Sequence, residues 1–173
     1  ISVFGRPGVI VAGSGVDYPT KARAAGAKTV YWDMYLSTRV GTPMKPADAA
    51  GLPAKAQKVF DFAVLSAGCP DPVIVMNELF GASTPTPWTP TTARYRANVL
   101  EWARLLKEKG GHPLLLVSSE PFTGGDAGAW WRELAQVADI ALEKYFNAPA
   151  VQRAGPELGG RRMRTSMRES LAK

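Results

Sequence analysis

The chain has 173 residues, 46% of them hydrophobic and 21% charged, with five Trp, five Tyr and six Phe. Those proportions suit a folded globular domain and argue against disorder. One cysteine, Cys69, excludes an internal disulfide, and one histidine, His112, excludes a multi-histidine metal centre and argues against a Ser-His-Asp triad. The net charge of +6 is uneven, because residues 153–173 hold six Lys/Arg against two Glu. The body of the chain is nearly neutral, so no nucleic-acid partner is expected, and Arg161, Arg162, Arg164 and Arg168 read as the solvated face of a helix. No apolar run reaches the ~20 residues of a membrane span, and no charged-then-apolar leader is read at the start.

In chain order, β-rich and helical runs alternate. The first strand is Val9-Ile10-Val11-Ala12, ended by Gly13-Ser14-Gly15. A short helix follows, with Pro19 in its first turn and Gly26 at its end. The second strand is Thr29–Asp33, and the polar, Pro-containing stretch 37–53 reads as a long loop. Ala56, Val59, Phe60, Ala63, Val64 and Ala67 then repeat at helical spacing, with Gly68 suited to the C-terminal cap. The third strand is Pro72–Asn77, followed by a Pro- and Thr-rich loop over 81–91. Tyr95, Val99, Trp102 and Leu106 form one continuous helical stripe, closed by Gly110-Gly111.

The fourth strand is Leu114–Ser118, and a helix over 126–137 turns Trp130, Leu134 and Val137 inward. The fifth strand is Ile140–Glu143. A loop holding Asn147-Ala148-Pro149 and Gly159-Gly160 leads to a last helix, on which Met163, Met167 and Leu171 share a face and Met167 reads as core. Continuous apolar strands separated by amphipathic helices predict an α/β domain with a parallel sheet. Two architectures fit: a (β/α) barrel or partial barrel of about five strand-helix units, and an open doubly wound sheet. A complete barrel needs about 250 residues. The chain therefore reads as one partial domain over 1–173, a segment of a longer protein whose open edges favour self-association or a larger assembly. Gly13-Ser14-Gly15 lacks the third glycine of a dinucleotide loop, and no phosphate loop with its Lys is present. No cofactor is called for.

Chemistry in such folds sits at the carboxyl ends of the strands. Asp33 closes the second strand within Tyr31-Trp32-Asp33, Asn77-Glu78 follows the third, Glu120 follows the fourth, and Glu143 ends the fifth, with Tyr145 just beyond. Carboxylates on one rim, interleaved with aromatic rings, suit a carbohydrate. Glycoside hydrolysis needs a protonated carboxylic acid and a second carboxylate, and aromatic faces cover sugar rings. The residues themselves leave alternatives open: Asn-Glu can cap a loop, Asp33 can be structural, and Glu120 can pair with an arginine.

The run Val73-Ile74-Val75-Met76-Asn77-Glu78 resembles the strand-ending Asn-Glu of the retaining (β/α)8-barrel glycoside hydrolases, and Tyr31-Trp32-Asp33 resembles a preceding strand of bacterial barrels of this kind. The resemblance spans residues 8–146. It implies a TIM barrel with Glu78 as acid/base and Asn77 binding the hydroxyl beside the reacting carbon. It also implies that the nucleophile lies on a later strand, past Lys173, and that an extracellular or envelope glycan is the substrate. Within the chain, Glu143 is the expected second carboxylate. Asp33, Glu120, Tyr31, Trp32 and Tyr145 are expected to bind substrate. The alternative is a non-catalytic carbohydrate-binding or assembly component on the same fold.

Overall fold

The structure, a computed structural model, describes residues 8–77, 79, 90–117, 124–143 and 147–171. Five strands alternate with helices: β1 (Ile10–Gly13), α1 (Asp17–Ala24), β2 (Lys28–Asp33), α2 (Leu36–Val40), α3 (Leu52–Ala67), β3 (Val73–Met76), α4 (Pro90–Glu108), β4 (His112–Val117), α5 (Gly125–Leu134), β5 (Asp139–Leu142) and α6 (Ala148–Leu171). All four strand pairings are parallel, and the strand order is β1-β2-β3-β4-β5. Each crossover steps to the next strand in the same direction. Crossovers of one hand then put every connecting helix on one face of the sheet. The packing follows suit, since α1 lies against α3, α3 against α4 and α4 against α5. A partial barrel wall winds this way, and so does one half of a doubly wound sheet; the five described strands include no reversal of order.

Strand registers divide the side chains between two faces. Tyr31 is in register with Ile74, Ile74 with Pro113, Met76 with Leu115, and Leu115 with Ile140; this set faces the helices. The main core fills that space, with Trp102, Tyr95, Leu106, Leu52, Ile74, Met76, Leu115 and Leu134 fully buried. The stripe Tyr95, Val99, Trp102 and Leu106 on α4 is therefore core, as its spacing predicts. Trp130 on α5 joins it and donates its indole N–H to the Arg96 carbonyl at 3.1 Å. The opposite, inner face carries Ile10, Val30, Trp32, Val75, Leu114, Leu116 and Ala141. It is only partly covered by the described residues: Ile10 is 65% exposed, while Val75 is buried.

The stretch 37–53 is not the continuous loop its composition suggests. It holds α2 and a single 3₁₀ turn over Ala49–Gly51. α2 is too short to show a periodic pattern, and tertiary contacts hold it. Lys55 on α3 donates to the Arg39 carbonyl at 3.2 Å, and the buried Asn98 on α4 donates from Nδ2 to the Val40 and Ala47 carbonyls at 3.2 and 2.9 Å. The chain reverses between those carbonyls at Gly41. There φ is +84°, and a Cβ would stand 2.3 Å from the Ala47 nitrogen, so only glycine fits. Asn98→Ala leaves the Ala47 carbonyl without this donor and the Val40 carbonyl with only the Ala47 N–H, and is expected to cost about 1–3 kcal/mol. Urea unfolding checks it: the midpoint should fall while the slope stays constant.

The last helix also departs from expectation. Helical structure starts at Ala148 and runs through Gly159-Gly160; the break comes earlier, at Gly155, with φ 75° and ψ 170° before Pro156. Glycine takes the positive φ, and Pro156 opens the second helical piece at the position where its missing N–H is not needed. Among the described residues α6 makes no substantial packing with the sheet or the other helices. Met167 is consequently 51% exposed rather than core. Arg161, Arg162, Arg164 and Arg168 are solvated, as their pattern predicts. No helix among the described residues is long and apolar enough to cross a membrane.

Candidate active site at the carboxyl ends of the strands

The strands reach one rim, where β2, β3 and β5 end in Asp33, Met76 and Leu142. The last parallel pair on two of them is closed by the N–H of the next residue. The Asn77 N–H donates to the Asp33 carbonyl at 3.1 Å, and the Glu143 N–H donates to the Val117 carbonyl at 2.7 Å. These bonds belong to the terminal pairs Asp33↔Met76 and Val117↔Leu142, and the parity of both residues follows from carrying the strand alternation one position on. Asn77 stands two residues beyond Val75, and Glu143 two beyond Ala141, so both belong to the inner face together with Trp32. All three are half-buried. The Trp32 ring nitrogen is buried and makes no hydrogen bond among the described residues. A buried indole N–H without an acceptor is a donor in need of a partner.

Tyr31 and Asp33 share the rim but not the face. Both alternate to the helix side, which corrects the expectation that Asp33 and Tyr31 join Glu143 in one cleft. Asp33 is instead an ion-pair partner. Its carboxylate has no exposed side-chain surface and accepts from Arg39 Nε and Nη2, both at 3.3 Å, while the Tyr35 N–H approaches it at 3.4 Å. A carboxylate buried behind the sheet must be compensated, and Arg39 on α2 supplies the charge. Tyr31 is packed edge-on against Phe62 of α3, with centroids 5.5 Å apart. Burial pushes its phenol above the usual tyrosine range and the Asp33 charge adds to that, while the charge and hydrogen bond of Arg39 oppose it. Tyr31 is therefore a neutral hydroxyl at neutral pH.

Glu78, Glu120 and Tyr145 lie outside the described residues. Among the described residues no group of three His, Cys, Asp or Glu side chains is placed to hold a metal ion. His112 stands at the amino end of β4, beside a small cavity of about 190 Å³ that also touches Lys107 and Asp139. That is the rim opposite Asn77 and Glu143, as its Gly-Gly-His-Pro context predicts. Arg39 and Asn98 escape a reading of the sequence. Arg39 falls in a stretch that looks like loop, although a buried acid six residues earlier is a signal that a cation must be near. Asn98 is hidden between the apolar positions of the α4 stripe. No family model, no curated protein and no solved structure matches this chain.

Proposed function

We propose that this chain is the wall of a glycoside-hydrolase-like (β/α) barrel whose inner face, at the carboxyl ends of the strands, takes a carbohydrate. The observation that carries the reading is the shared parity of Trp32, Asn77 and Glu143: three different strand ends turn them to one face, away from the helix layer. The chemistry of the three is complementary. Trp32 offers a flat apolar surface for a sugar ring. The Asn77 amide both donates and accepts, as a sugar hydroxyl does. Glu143 brings a carboxylate to the same face.

In this reading Glu78, next in sequence to Asn77, protonates the leaving glycosidic oxygen. A second carboxylate attacks the anomeric carbon or activates water. Glu143 is the candidate within this chain, and its separation from Glu78 decides the outcome: about 5–5.5 Å gives retention and about 6.5–9.5 Å inversion. Water is the only co-reactant such a site requires.

Affinity electrophoresis in gels cast with neutral soluble polysaccharides tests the reading. At least one glycan should retard the chain, and Trp32→Ala should weaken that retardation by about tenfold, the scale of one lost stacking contact. Absence of retardation in every glycan, or a Trp32→Ala protein that binds as well as the parent, would overturn it.

A further inference from the structure

A cavity of about 540 Å³ opens at the end of β2 between the β1–α1 turn, α2 and α3, where Arg39, Lys58 and Phe62 belong to the helix layer. We propose that it is a second, separate binding site for a small anion carried on an aromatic ring, an aryl phosphate or an aryl carboxylate. Its size lies within the range of small-molecule pockets. Its walls combine the aromatic residues Tyr31, Trp32, Tyr35 and Phe62 with two cations, Arg39 and Lys58, and no carboxylate lines it among the described residues.

The two cations are held differently, and each suits an anion. Arg39 is oriented from behind by Asp33, which occupies Nε and Nη2 and leaves further guanidinium N–H groups free to donate. It is 28% exposed, so water or a ligand reaches it, whereas Asp33 is sealed off. Lys58 is exposed and makes no hydrogen bond or ion pair among the described residues. Tyr31 also lines the cavity, and burial keeps its phenol above the usual tyrosine range, so it stays a neutral hydroxyl beside the two cations. Charge-assisted contacts of this kind are the strong ones.

The apolar part of the ligand has its own seat. Phe62 is 38% exposed and Tyr35 is more open still, so large ring surface is left in water around the two cations. The edge-to-face contact between Tyr31 and Phe62 fixes one wall, with the planes 73° apart. An anion without a ring would leave that surface wet, and a ring without an anion would leave Lys58 without a counter-charge. Trp32 borders both this cavity and the inner face, but Arg39, Lys58 and Phe62 belong to the helix layer alone, so exchanges of Lys58 and Phe62 test this site apart from the carbohydrate reading.

Isothermal titration of the chain with phenyl phosphate and with benzoate at low ionic strength tests the proposal, with inorganic phosphate and benzyl alcohol as anion-only and ring-only probes. At least one aryl anion should bind saturably, about tenfold or more tighter than either partial probe. Lys58→Ala should weaken that binding by about tenfold, and Lys58→Arg should largely retain it. Phe62→Ala should weaken the aryl anion but leave inorganic phosphate unchanged. Far-UV circular dichroism verifies that the variants are folded, which the exposure of Lys58 favours. No saturable heat from either aryl anion up to about 10 mM, or equal affinities for the parent and Lys58→Ala, would overturn the proposal.

Discussion

Glu78→Gln is expected to lower the rate of glycosidic bond cleavage by about 10²–10⁴-fold, the range lost when a general acid is removed. Glutamine keeps the size and hydrogen-bonding capacity of the side chain but has no proton of suitable acidity to give. The exchange should therefore leave thermal unfolding and glycan retardation close to the parent while turnover collapses. Reducing-sugar release from the polysaccharide that retards the chain is the measurement. The comparison with Glu143→Gln separates the roles. If Glu143 is the partner carboxylate, its loss should be as damaging as that of Glu78, and the double exchange little worse than either alone, because paired groups act as a unit. Undiminished hydrolysis in Glu78→Gln would remove the acid/base assignment. Binding without any hydrolysis in the parent would favour a carbohydrate-binding component on the same fold.

Arg39→Ala should be among the most destabilising single changes in the described residues, at about 3–5 kcal/mol, the cost of breaking a buried pair from the side that leaves the charge stranded. Asp33 has no exposed side-chain surface, and Arg39 is the only side chain that compensates it with positive charge among the described residues. The reverse exchange, Asp33→Ala, should cost less. It leaves Arg39 uncompensated, but that side chain is 28% exposed and can hydrate. Urea unfolding of the two single variants and the double variant gives the order directly. The double variant should be more stable than Arg39→Ala alone. Equal costs for the two single exchanges would mean that Asp33 is hydrated in solution, contrary to its burial.

The contrast between Asp33 and Glu143 illustrates how far a sequence reading reaches at this site. Both are acids at the end of an apolar strand, and nothing local separates them. They differ in parity: Asp33 belongs to the alternate set of β2 that packs on α3, and Glu143 to the set of β5 that does not. Parity relative to the helix layer depends on which face the helices cover. Five short, continuously apolar strands do not reveal that, because a parallel strand is apolar on both sides. The Trp32 side chain, between two residues of the helix-facing set, is assigned to the inner face by the same register.

The amino-acid sequence by itself determined the alternation of five strands and their helices, the parallel sheet, the Gly68 cap and the α4 stripe. Each of these rests on a local period or a local backbone preference, and α4 and α3 are long enough for that period to be counted. It also determined that the arginines of the last helix are solvated, since charge is costly to bury anywhere. The tertiary structure alone decided the strand order, the division of rim residues between two faces, the ion pair of Asp33 with Arg39 and the pinning of α2 by Asn98. Those features join residues from different elements, as with Asn98 and Val40, which lie 58 positions apart. The exposure of Met167 has the same origin. A helix pattern announces an apolar face, but only a neighbouring element can bury it, and α6 has no such neighbour among the described residues.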